Sequence, residues 1–191
     1  MKEKNTRWFQ ENSPIFNGLV SAIPQVCTLM GAQKGAANLQ FLADGMKYNL
    51  TARANPEIIS FDLFLSSHSD EYPLYQTKSR KGQFILGPHD LALFHLEDYK
   101  EGNPIEIEID AITRPEMEGM GILHGFASSF PGIIKTVKSI YQDSLFGKQA
   151  FVVVEDLAKA ESKGKNHSGL SGYLANQYGA SFIDGKYMVE L

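Results

Sequence analysis

The sequence predicts an α+β, mainly β fold: an antiparallel β-sandwich flanked by an N-terminal apolar helix and a late amphipathic helix. Three observations predict it. Residues 13–33 contain no charged side chain in a chain that is 21% charged, and their apolar residues recur at helical spacing. Residues 105–112 alternate isoleucine with acid, the period of a strand with one face in a core and the other in water. Residues 131–146 place a second set of apolar side chains on one helical face.

In the first helix, Ile15, Phe16, Leu19, Ile23, Val26, Cys27 and Met30 form one face. Asn17, Gly18, Ser21, Gln25 and Thr28 form the other. Ser13 is the expected N-cap and Pro14 the first helical residue. Pro24 removes a backbone donor in mid-helix, at about 3 kcal/mol, so a kink or a break is expected there. A further helical piece is expected over residues 34–44, ending at Gly45.

From Met46 the period becomes that of strands. Tyr48, Leu50 and Ala52 alternate with polar neighbours. Residues 58–65, 72–76, 83–86 and 91–96 read as further strands. Residues 66–71 are a run of short polar groups and read as a loop. Residues 78–82 are a basic turn. In 105–112, Ile105, Ile107 and Ile109 face the core, with Glu106, Glu108 and Asp110 in water. Residues 97–118 hold eight acids and two bases, an acidic rim read as a solvated sheet face. Residues 114–125 read as an irregular loop. The late helix carries Ile133, Ile134, Val137, Ile140, Tyr141 and Leu145 on its apolar face, with Gly147 at its C-cap. Residues 149–154 follow as a buried strand, 159–168 as a charged turn, and Asp184-Gly185 as a hairpin signal before the last strand.

At 191 residues one domain is the natural count, residues 15–191, preceded by a flexible N-terminus, 1–14, that holds the only tryptophan, Trp8. A hydrophobic content of 43%, with 12 Phe and 8 Tyr, argues for a packed core. The net charge of −4 supplies no basic field, so nucleic acid is not an expected partner. The single cysteine, Cys27, excludes an intrachain disulfide and reads as a small buried hydrophobe. The charged flank before residue 13 includes acids, and Asn17 and Pro24 interrupt the apolar run, so no secretory signal is recognised. The expected location is outside the cell by release without a signal peptide, or the cytoplasm.

Chemistry-bearing motifs are few. His95 and Glu97 are two apart on a strand and share a face, and with His89 they are the one set from which a hydrolase site could be assembled. No histidine pair has a metal-ligand spacing, so no metal is expected. The Gly-rich 119–125 run is one residue too long for a dinucleotide fingerprint. Ser171 is followed by glycine one place too soon for a nucleophile elbow. No catalytic residue and no cofactor are expected.

The order of elements, and the text LGPHDLALFHLEDYKEGNPIEIEIDAI over residues 86–112 with Tyr178-Gly179 and the closing GKYMVEL, resembles the actinoporin-like cytolysins. That resemblance implies a β-sandwich that binds a membrane lipid surface, inserts its first helix and forms a homo-oligomeric pore on the membrane. The inserting residues would be Ile15, Phe16, Leu19, Ile23, Val26 and Met30. Residues 114–125, where the family carries its headgroup aromatics, contain none, which leaves Tyr72, Tyr75 and Tyr99 as headgroup or ligand contacts. The alternative is a non-lytic β-sandwich module that recognises a protein or glycan through loops 66–71, 114–125 and 159–168.

Overall fold

The computed structural model describes residues 13–33, 35–79, 82–100, 104–154, 177–183 and 186–191. The chain is α+β. Among the described residues its strands form a mostly antiparallel, mixed sheet of eight strands and a separate two-stranded ribbon.

The first helix, α1 (Pro14–Gln33), starts as its sequence dictates: the Ser13 hydroxyl accepts from the Phe16 amide at 3.1 Å and donates to the Met120 carbonyl at 2.6 Å. The helix runs unbroken through Pro24. Pro24 lies on the exposed side, where water can serve the carbonyl that loses its partner.

The helical piece expected over residues 34–44 is instead strand β1 (Ala36–Ala43), paired with β2 (Met46–Ala54). The reason is the turn between them. Asp44 and Gly45 both take positive φ, 51° and 74°, which a helix does not allow and a two-residue hairpin requires. The sheet continues through β3 (Ser60–Ser67), β6 (Asp90–Lys100) and β7 (Ile105–Thr113), each antiparallel to the last. The ribbon, β4 (Tyr75–Ser79) and β5 (Gly82–Leu86), lies between β3 and β6 in sequence.

After β7 the chain crosses through a 3-10 turn (Pro115–Met117), α2 (Ile122–Ser128), α3 (Phe130–Ile140) and α4 (Gln142–Leu145). The expected loop over 114–125 is thus half helical. The crossover lets β8 (Ala150–Val154) pair parallel to β7, an arrangement no hairpin can make. The single helix expected over residues 131–146 is interrupted at Tyr141, φ −105° and ψ 25°, which separates α3 from α4; Gly147, at φ 71°, follows α4. Strands β10 (Lys186–Glu190) and β9 (Ser181–Ile183) close the sheet; the Asp184-Gly185 turn lies outside the described residues.

One sheet face packs on the helices. In register, Phe61, Leu96 and Ile109 form one row across β3, β6 and β7, and Leu63, Phe94 and Ala111 the next. α1 packs into this face and against α2 and α3. Ile15, Leu19, Ile23, Val26 and Met30 are each at most 3% exposed, while Phe16 is half-buried against His124, ring centroids 4.9 Å apart. Cys27 is buried, and burial pushes its thiol up. The fit is tight: a Cβ on Gly125 of α2 would lie 3.0 Å from Leu19 Cβ. Far along the chain, the Tyr141 hydroxyl sits 2.7 Å from the carbonyls of Asn55 and Ser60 and ties the helical layer to the β2–β3 connection.

The β7 alternation needs one correction. Ile105, Ile107 and Ile109 are in the core, but Glu108 and Asp110 are also buried, at 2% and 4% exposure. Alternation reports polarity, not solvent access. On this second face Asp110 is paired with His95 and Glu108 with Glu97, and Phe84 of the ribbon covers His95.

Because Leu19 has no exposed surface and meets both sheet and helices, Leu19→Ala should cost about 2–5 kcal/mol. Gly125→Ala should also destabilise, since Leu19 cannot retreat. Urea unfolding midpoints of the two variants measure both effects.

Candidate functional site at the Arg114 end of the sheet

Three connections meet at one end of the sheet: residues 66–73 after β3, 87–90 before β6, and 114–120 after β7. What joins them is Arg114, a guanidinium only 1% exposed. It donates to the carbonyls of Asp90, Pro73 and Gly87, and at 3.3 Å to that of Leu86. A rigid fork of donors suits this task, because backbone carbonyls of two segments, residue 73 and residues 86–90, can be satisfied by one side chain from a third. The Arg114 guanidinium also lies over the Tyr72 ring, 5.2 Å from its centroid.

Further bonds lock the same segments. The Ser67 amide donates to His89 O at 2.9 Å, and the Tyr72 amide to Pro88 O at 2.8 Å. Asp90 accepts from the Ser66 hydroxyl at 3.0 Å and from the Gly87 amide at 2.9 Å. His89 Nδ1 is 3.3 Å from Asp70 O and its Nε2 is 4.0 Å from a Glu71 oxygen. Asn49 of β2 donates to His68 Nε2. The result is a fixed backbone from which His68, Ser69, Asp70, Glu71, His89, Glu116 and Glu118 project into solvent. Burial raises the Tyr72 phenol, with Asp70 and Glu116 adding to the rise and Arg114 opposing it, so the surface around Tyr72 is acidic.

A second polar cluster lies on the sheet face away from the helices. His95 meets Asp62 of β3 through Nδ1, and Glu97 through Nε2 at 3.2 Å. Asp62 is the register partner of His95 on one side and Asp110 on the other. Burial alone would lower the His95 pKa; Asp62, by hydrogen bond and charge, and then Glu97 outweigh it, so the net shift is upward from 6.5. The protonated ring donates to two carboxylates and so pins β3 to β6.

His95 and Glu97 do share a face, but His89 is engaged elsewhere, with Asp70 and Glu71. Among the described residues no group of three His, Cys, Asp or Glu side chains is arranged to hold a metal. Tyr72 joins the Arg114 cluster, and Tyr75 opens β4 opposite Leu86. The Tyr99 side chain, Trp8 and the 159–168 loop lie outside the described part of the chain. Of the helix residues, Ile15, Leu19, Ile23, Val26 and Met30 line the core and Phe16 sits at its edge. Arg114 and Asp62 were not foreseen. A lone arginine in an acidic stretch was the available signal for the first; nothing local in the sequence places Asp62 opposite His95.

No family model and no characterised protein matches this sequence, and no solved structure matches its fold.

Two outcomes are expected from these networks. Arg114→Met removes the guanidinium donors from the carbonyls of residues 73, 86, 87 and 90 and should cost about 3 kcal/mol or more, read by chemical unfolding. For His95, a folded pKa above 6.5 means stability that is fully present below 6.5 and lost as pH rises through the folded value. The gap in unfolding free energy between wild type and Asp62→Asn should therefore be full below pH 6.5 and shrink as the pH rises above it.

Proposed function

We propose that this protein is a non-lytic binding module and that the Arg114 end of the sheet is its recognition surface. The observation that carries this reading is the buried guanidinium, which ties three connections into one fixed backbone. Binding loops on a rigid scaffold lose little entropy on association. The projecting groups are hydrogen-bonding and acidic: His68, Ser69, Asp70, Glu71 and His89, with Glu116 and Glu118 beside them. Such a surface suits a polar partner, a basic protein segment or a hydroxyl-rich glycan. Tyr72, held over Arg114, adds a phenol ring beside them.

A second reading is supported by α1 itself. Over residues 14–32 it has a mean hydropathy of 1.4 and is long and apolar enough, by length and composition, to cross a membrane. In that reading the chain is a cytolysin-like sandwich that inserts α1 into lipid and oligomerises there. The energetics set its requirement. Five buried side chains of α1, each worth about 1.5–3 kcal/mol, together match the roughly 5–15 kcal/mol that hold a whole domain folded. Insertion of α1 would thus have to accompany opening of the entire core, which is why the binding module is preferred.

Glycan and peptide arrays probed with wild type, Asp70→Lys and His89→Ala test the first reading. Binding is expected for wild type and should fall at least tenfold in both variants, with thermal midpoints unchanged; array binding indifferent to both substitutions sinks it. Leu19→Asp separates the two readings. A core α1 predicts an unfolded protein, whereas a detachable α1 predicts a folded body that no longer releases dye from phosphatidylcholine–sphingomyelin vesicles.

A further inference from the structure

Burial accounts for the apolar face of α1, yet its exposed face is uncharged as well: Asn17, Val20, Ser21, Gln25, Thr28 and Leu29. The neighbouring strand β1, AANLQFLA, continues that surface without a charge. β1 is the edge of the eight-stranded sheet, and among the described residues its outer side pairs with nothing. Soluble proteins guard such an edge with lysine, proline, a bulge or extreme shortness. β1 has eight residues, pairs with β2 in continuous register and has none of these.

The hydrogen-bonding groups of this edge can be assigned. The Asp44-Gly45 turn makes Ala43 and Met46 a hydrogen-bonded pair, and pairs then alternate along the ladder. The Gly35 carbonyl, which accepts from the Ala54 amide at 2.8 Å, fits the same alternation. The amides and carbonyls of Ala36, Asn38, Gln40 and Leu42 therefore point away from β2. Between this edge and α1 runs an open groove of about 470 Å³, with Asn17, Ser21 and Gln25 on one wall and Leu39 and Phe41 on the other. Gly18 forms its floor, where a Cβ would lie 2.5 Å from the Phe41 ring. Leu42, at the rim, is 67% exposed.

We infer that β1 pairs antiparallel with β1 of a second copy of this chain, joining two sheets into one across a two-fold axis at Leu39. Three features favour a second copy over another partner. First, the strand is self-complementary in this register: Ala36 meets Leu42 of the partner subunit and Asn38 meets Gln40 of the partner subunit. All four outward residues are then used on both chains. Second, each chain carries a net charge of −4, so two copies can approach closely only over an uncharged surface, which α1 and β1 together provide. Third, the nearest charges in sequence on either side of β1 are of opposite sign, Lys34 and Asp44, so antiparallel self-pairing sets no like charges together. α1 packs on β1, so the pairing also brings the two α1 helices side by side over the seam and closes the groove. Two-fold pairing of identical patches is the commonest closed assembly.

Sedimentation velocity on the full chain at about 50 μM tests this; such a concentration populates even a dimer of micromolar affinity. Wild type should sediment at twice the 21.2 kDa chain mass. Gln40→Lys with Leu42→Lys places charge on the exposed edge, and Gln40→Pro removes an outward donor without touching the β2 ladder. Each variant should sediment at the single-chain mass with unchanged far-UV circular dichroism. Should a variant misfold, Leu39→Cys gives an independent reading: residues facing across the axis should cross-link on mild oxidation, while buried Cys27 stays reduced. A wild type that stays monomeric, a dimer indifferent to the edge variants, or a dimer in which Leu39→Cys does not cross-link each overturns the inference.

Discussion

The fold depends on enclosing one face of α1. That face is met from below by the strands, where Phe61, Leu63, Phe94 and Leu96 present a continuous apolar surface, and from the side by α2 and α3. Neither layer has another way to cover itself. A lone sheet of this composition would expose its core rows, and an isolated 20-residue helix gains little from propensity alone. The small residue at Gly125 is the local sign of how closely the layers approach, since Leu19 occupies the space a side chain there would need.

The opposite sheet face is organised by polar contacts instead. His95 links Asp62 and Glu97, and at the sheet end Arg114 links its own connection to two others through their carbonyls. A buried charge is tolerated only where its donors are satisfied. Arg114 meets that condition with backbone oxygen, so it fixes chain direction rather than pairing with an acid that titration could remove. The two faces therefore contribute differently: the apolar one holds the layers together, and the polar one sets the shape of the exposed connections.

Much of this was legible in the sequence. The start of α1 at Ser13-Pro14, its buried stripe, strands β2, β6 and β7, and the first part of the late helix follow from periodicity and end signals, whereas its break at Tyr141 does not. β1 was not, because Ala, Leu and Gln favour a helix locally and the Asp44-Gly45 turn that overrules them was read as a helix end. α1 continues through Pro24 because the residue lies on the side facing water. Glu108 and Asp110 are buried against expectation, because what covers a sheet face is decided by segments distant in sequence. The Arg114 cluster was illegible for the same reason: its partners at residues 73, 86, 87 and 90 are assembled only once β5, β6 and β7 have met.

The parallel pairing of β7 with β8 bears on the order in which the chain acquires its structure. Ile105 meets Ala150 only after the whole helical crossover has been laid down, whereas β1 through β3 need contacts between near neighbours in sequence. Distant pairings carry a larger loop-closure cost before they are rewarded. The carboxyl-terminal strands β8, β10 and β9 are thus late additions to a scaffold nucleated by the first hairpins. Until β8 docks, the outer side of β7 is a temporary open border.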